Sequence, residues 1–202
     1  MRKFVLALIL CASFYCHGQD SSDYIATIKA YQEEMNASFR NPEESPLEKK
    51  DLRKFKELDF FPIDEKYRVT AKVVLAEERV PFNMPTTTPR KAVYWKYADL
   101  IFELNGEEFS LEAYQNEDLI KKEGYEDYLF LPFSDLTSGN GSYGGGRYIG
   151  LRISEGNTIE IDFNKAYNPY CAYSSRYSCP LVPRVNRLTT RVEAGVKDWG
   201  KH

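Results

Sequence analysis

The dipeptide Asn105-Gly106 stands between two alternating apolar runs, Asp99 to Leu104 and Glu107 to Tyr114. Asn-Gly readily takes the positive-φ conformations of a type I′ turn, the strongest short signal for an antiparallel hairpin. A two-residue loop sets Phe102 opposite Phe109 and Leu100 opposite Leu111. The apolar sides then coincide, as a buried face demands. Further strands are expected over Tyr67 to Leu75, Lys91 to Tyr97, Tyr128 to Phe133 and Arg187 to Ala194, with a short helical turn over Glu117 to Glu123. Turns separate these runs and no βαβ alternation appears. The expected fold is therefore mainly β (α+β), an antiparallel sandwich or half-open barrel.

Two helices are expected ahead of the strands. Tyr24, Ile28, Tyr31, Met35 and Phe39 recur at three or four residues, forming one apolar stripe that ends before Asn41-Pro42. That stripe reads as core rather than as a ligand box. A second helix is expected from Ser45, with Pro46 at its first position and Glu48 completing a capping box.

At the very start, Arg2 and Lys3 precede an apolar run from Phe4 to Ala12, followed by Cys16 and Gly18. A positive n-region, a short h-region and a small-residue cleavage site describe a signal peptide over residues 1–18. The run is shorter than the about 20 residues of a membrane-spanning helix. The expected organisation is a signal peptide (1–18), a helical segment (19–59) and a β-rich domain (60–202). The protein is expected to be exported to the periplasm or beyond, without a transmembrane helix. Lipid anchoring is disfavoured, because Leu10 and Tyr15, which precede Cys11 and Cys16, are large.

Losing the leader changes the chemistry available. Of the two histidines, His17 leaves with it and His202 is the last residue, so none sits inside the domain. That argues against Ser-His-Asp and Cys-His nucleophile systems and against imidazole-bound zinc. No metal or cofactor is expected. The net charge of −3 for the whole chain becomes −5 once Arg2 and Lys3 are gone. A mildly acidic chain without a basic run is a poor partner for nucleic acid. With 43% hydrophobic and 14% aromatic residues, it has the composition of one folded domain, expected as a monomer.

The richest segment runs from Gly139 to Pro180. Its glycines, in GNGSYGGG, lack the Gly-Lys-Ser/Thr ending and the following helix of a phosphate loop, and read as a turn leading into a strand. A second hairpin is expected here. A two-residue turn at Glu155-Gly156 would mix Glu160 and Asp162 into the core, whereas a three-residue loop through Asn157 pairs Ile153 with Ile159, Leu151 with Ile161 and Ile149 with Phe163. The second register puts Tyr148, Arg152, Glu160, Asp162 and Asn164 on the opposite face. Arg147 falls on the apolar side, where its guanidinium requires a carboxylate, carbonyl or ligand.

Arg68, Arg147, Asp162, Asn164, Tyr167, Asn168 and Asn186 are the candidate ligand-binding set: arginine for bidentate contact with an anionic or carbonyl-bearing ligand, asparagine for orientation. Local hydrogen bonding to the backbone accounts for the same residues equally well. Asp135 and Asp162 are the candidate carboxylates for acid-base chemistry. The 15 tyrosines fit stacking on sugars or aromatic ligands. Cys171 and Cys179, eight apart between Pro169 and Pro180, are the expected disulfide of an oxidising compartment.

The succession PFSDLTSG (132–139), SYGGGRYI (142–149), IDFNKAYNPYCAY (161–173), CPLVPRVNRL (179–188) and EAG (193–195) resembles the bacterial family called domain of unknown function 1684. FFPIDEKYRV (60–69) and PTTTPR (85–90) stand in the order that family shows. Arg184 and Val185 depart from its pattern, which has a proline and a glutamate there. The resemblance implies no activity; it marks Arg147, Asp162, Asn164, Tyr167, Asn168, Cys171 and Asn186 as motif positions. The leader, ending in His-Gly-Gln, resembles those of exported Bacteroidetes proteins. Three functions are open from these residues: binding a small molecule or envelope component at the loop end of the 147–164 hairpin, histidine-free carboxylate-based hydrolysis, or a structural envelope role without a ligand.

Overall fold

Strands β3 (Ala92–Leu104) and β4 (Glu107–Asn116) pair in the register the turn predicts, Phe102 with Phe109 and Leu100 with Leu111. Asn105 and Gly106 hold φ of 54° and 81°, as a type I′ turn requires. The computed structural model of the chain describes residues 12–200, with side chains from residue 21 onward. The remaining strands are β1 (Arg68–Leu75), β2 (Phe82–Met84), β5 (Tyr128–Phe133), β6 (Arg147–Arg152) and β7 (Thr158–Asp162). They form one antiparallel sheet in the order β6-β5-β4-β3-β1-β7, with β2 added beside β3.

The sheet curls into a half-barrel, and the chain leaves it no alternative. β6 and β7 occupy opposite ends of the strand order, yet only Ile153 to Asn157 join them. Six flat strands would separate those edges by about 24 Å, five spacings of about 4.8 Å. The link reaches at most about 21 Å when fully extended. Curling closes the gap, and the Tyr148–Tyr167 bridge ties β6 to the segment that follows β7.

The hairpin expected over 147–164 is thus a connection between two sheet edges and not a paired ladder. β6 pairs along its whole length with β5, from Tyr128–Arg152 to Phe133–Arg147, and β7 pairs with β1, including Val69–Ile161. The expected faces hold for five of the six residues: Ile149, Leu151, Ile159, Ile161 and Phe163 enter the main core with Leu100, Leu111 and Leu131, whereas Ile153 lies in the link beyond β6 and is exposed. Alternation along a strand is independent of which neighbour it pairs with.

Helix α1 (Ala12–Arg40) ends just before Asn41-Pro42, as its stripe predicts. The assigned leader, 1–18, lies largely outside the described residues. No described helix is long and apolar enough to cross a membrane. The second expected helix is reduced to one turn, α2 (Lys49–Leu52). Its cap is diverted: Glu48 accepts from Ser174 Oγ, and Arg176 takes the carbonyl of Ser45 at 3.0 Å. The segment 187–194 forms no strand, because its Val192 and Ala194 carbonyls turn inward to Arg147.

One irregularity decides where aromatic side chains go. Lys96 pairs with Tyr114 but Ala98 pairs with Ala113, so Tyr97 is an extra residue, a β-bulge. The bulge reverses the facing of β3. Ala98, Leu100 and Phe102 point into the half-barrel, whereas Ala92 and Tyr94 join Phe130, Tyr148, Tyr114 and Met84 on its outer face.

Candidate functional site

Three buried polar clusters hold the chain together. Arg147, 1% exposed, donates to Asp135 Oδ2 at 2.8 Å, to Val192 O at 2.8 Å, to Thr137 Oγ1 at 3.3 Å and to Ala194 O. Its guanidinium lies over the rings of Phe133 and Phe61, at 5.2 and 5.7 Å. Burial lowers its pKa and Asp135 opposes that loss. Asn186, fully buried, acts as a substitute strand residue. Its Oδ1 accepts from Glu112 N at 2.8 Å while its Nδ2 donates to Glu112 O at 2.8 Å and Pro132 O at 2.7 Å. β4 and β5 share the single register pair Tyr114–Phe130. Pro132 has no N–H to offer a ladder, so the asparagine fills the gap.

The third cluster ties α1 to the end of β7. Asp162 Oδ1 accepts from Tyr24 OH at 3.0 Å and from Asn164 N at 3.0 Å, and Asn164 exchanges bonds with the Asp64 backbone at 2.9 and 3.1 Å. Arg68 is exposed on β1, paired with Glu160 at 2.7 Å and lying over the Tyr24 ring. Asp135 and Asp162 therefore serve separate partners.

A cleft lies elsewhere, on the outer face, with a volume of about 610 Å³. Alternation and the bulge supply its sheet side: Tyr94 from β3, Phe130 from β5 and Tyr148 from β6. These rings pack in sequence, Tyr94–Phe130 tilted at 5.6 Å and Phe130–Tyr148 edge-on at 4.7 Å. α1 contributes Tyr31, Glu34, Met35, Ser38 and Phe39, the three- and four-residue spacing of one helical face. Tyr31 anchors that face by donating to Lys165 O at 3.0 Å. The segment after β7 completes it. Tyr167 exchanges two backbone bonds with Tyr148, at 2.9 and 3.0 Å, and is followed by Asn168, Tyr170, Tyr173, Tyr177 and Cys179.

Nine of the lining side chains are aromatic. Burial pushes the phenols of Tyr31 and Tyr94 up to about 12 and those of Tyr148, Tyr167 and Tyr173 higher still. All stay neutral at physiological pH, offering ring faces and hydroxyls and no phenolate base. Glu34 is the one charged side chain in the lining. Asn168, 1% exposed, donates its Nδ2 to Lys197 O at 2.9 Å, while its Oδ1 has no partner.

Cys171 and Cys179 are free thiols beside this cleft, close together but outside bonding distance, so the expected disulfide is not formed in this structure. Cys171 N donates to Cys179 Sγ at 3.2 Å. A hydrogen bond from the Cys179 thiol, helped by the Tyr143 and Thr87 hydroxyls, outweighs burial and lowers the Cys171 pKa to about 6. The shared proton raises Cys179 in turn.

Of the seven candidate binding residues, the structure brings only Tyr167 and Asn168 to the cleft. Arg147, Asp162, Asn164 and Asn186 are internal ties, and Arg68 lies on the exposed side of β1. No metal-ligating group of three or more residues occurs among the described residues. Tyr31, Glu34, Ser38, Tyr94, Phe130, Tyr148, Tyr170, Tyr173 and Tyr177 went unrecognised as a site. Tyr31 and Met35 belong to the stripe read as core, yet both are only half-buried and border the cleft. The signal available was the density of tyrosines from 167 to 177.

The model of a protein family of unknown function, DUF1684, matches residues 53–197. The chain is similar to an uncharacterised protein of Haloarcula marismortui solved by solution NMR, at 36% identity and a TM-score of 0.70, over 91% of this chain and 99% of that one. No curated protein matches it.

Proposed function

The chain belongs to the DUF1684 family, and we propose that it binds a ring-bearing small molecule in the tyrosine-lined cleft. The supporting observation is the cleft itself: about 610 Å³, within the usual range of about 300–1,000 Å³ for ligand sites, apolar and aromatic with few polar groups. Neutral phenols and ring edges suit stacking against a flat or puckered ring. The carboxylates first considered for hydrolysis, Asp135 and Asp162, do not line it.

A fragment screen followed by amide chemical shifts tests this reading. Ring-bearing fragments are expected to perturb residues around Tyr31, Tyr148 and Tyr177, and to lose that effect in Ser38→Trp, which fills the cleft from α1. Absence of hits, or hits unaffected by Ser38→Trp, refutes the reading.

The residue pattern of the leader supports export, with cleavage after Gly18. In an oxidising compartment Cys171 and Cys179 then close to a disulfide after a small shift of the loop that carries them. N-terminal sequencing and intact mass of the secreted protein test both points: a retained leader counts against export, and two alkylatable thiols count against the bridge.

A further inference from the structure

We infer that the cleft selects an organic cation, a ring- or alkyl-substituted ammonium. The inference rests on the reading of the cleft as a ligand site and concerns which chemistry that site accepts.

Two polar features of the lining favour positive charge. Glu34 is its only charged side chain, exposed and without an ion pair among the described residues. Asn168 Oδ1 is a buried acceptor with no donor. The aromatic faces add to this, because a ring's quadrupole is negative over its face and attracts a cation. Phenols held neutral keep that character across the whole physiological range.

An anion, by contrast, finds no partner here. No Lys or Arg lines the cleft. Arg176, which lies over the Tyr177 ring at 4.9 Å, spends its guanidinium on the Ser45 carbonyl at 3.0 Å and the Tyr177 hydroxyl at 3.0 Å. Arg147 is sealed in the half-barrel.

The test uses the full chain and three probes of similar size: benzyltrimethylammonium, its neutral carbon isostere neopentylbenzene, and benzoate. Titration calorimetry or amide shifts are expected to show the cation binding roughly tenfold more tightly than the isostere, a gain of cation–π and carboxylate contact. Glu34→Gln, an exposed helix substitution that spares the fold, should weaken the cation severalfold and leave the isostere unchanged. Ser38→Trp should abolish both. Equal binding of cation and isostere, tighter binding of benzoate, or a cation affinity indifferent to Glu34→Gln overturns the inference while leaving the cleft as a ligand site. Failure of all three probes overturns it too; if ring-bearing fragments also leave the cleft untouched, the ligand-site reading falls with it.

Discussion

Replacing Arg147 by methionine tests whether this arginine is a tie within the fold or part of a ligand site. Methionine keeps most of the apolar volume between Phe61 and Phe133 but removes five donors. Asp135, whose side chain is fully buried, is left charged and uncompensated, and the carbonyls of Val192 and Ala194 lose their donor. Breaking a buried ion pair on one side costs about 3–5 kcal/mol, a large share of the roughly 5–15 kcal/mol that holds a domain folded. At about 2–4 °C per kcal/mol for a chain of this size, the melting temperature should fall by on the order of 10 °C. Adding Asp135→Asn removes the stranded charge, so the double variant should recover much of the loss, with a favourable coupling in the double-mutant cycle. Differential scanning calorimetry on the four proteins gives the answer. A melt for Arg147→Met within about 2 °C of wild type, or a double variant no better than the sum of the singles, refutes the reasoning. Below its melting point Arg147→Met should still bind benzyltrimethylammonium, since Arg147 does not line the cleft.

Asn186→Ala should cost about 3 kcal/mol, because Glu112 N–H, Glu112 O and Pro132 O all lose a buried partner; faster hydrogen exchange at the Glu112 amide is the local readout. In the reduced protein, alkylation of Cys171 by iodoacetamide should follow a midpoint near pH 6, and Tyr143→Phe should move it upward by removing a donor to the thiolate. If the secreted protein carries the bridge, reduction should lower stability by roughly 2–3 kcal/mol, the chain-entropy value for so short a loop; an unchanged melt argues that the thiols are free. The raised phenols predict alkaline unfolding. Tyr31 and Tyr94 titrate at about 12 when folded against 10.0 ordinarily, so their stabilisation is complete below pH 10 and lost between pH 10 and 12. Phenolate absorbance should therefore rise together with loss of circular dichroism; a rise that precedes unfolding contradicts the burial of these rings.

The central hairpin was legible because its causes are local: Asn105-Gly106 fixes a turn, and alternation fixes the register. The same logic misjudged β6 and β7. Five residues between two alternating strands look like a hairpin loop, and nothing local reveals that Tyr128 to Phe133 and Arg68 to Lys72 make the better neighbours. Facing survived the wrong pairing, which is why Arg147 was foreseen on the apolar side and in need of a carboxylate. That the carboxylate is Asp135 depends on how the 134–146 loop folds back. The cleft was hidden for a different reason. Its walls come from α1, three strands and a distant loop, and a helical stripe such as Tyr31-Met35-Phe39 looks alike whether its outer part meets core or open space.

The extra residue at Tyr97 couples the two sides of the sheet. β3 runs through both the interior of the half-barrel and the floor of the cleft, and one residue sets the phase between them. Keeping Tyr97 but straightening the strand would leave every cleft residue present in the chain, yet rotate Tyr94 inward and bring its neighbours Val93 and Trp95 to the cleft side, whereas deleting Tyr97 would make Lys96 and Ala98 successive partners of Tyr114 and Ala113 and change no facing. Relatives that draw this residue into the ladder would thus differ in what they present on that side more than relatives with many substitutions along the walls. Pairing at this point, and not only composition, decides which side chains such a fold turns toward its outer face while its interior stays the same.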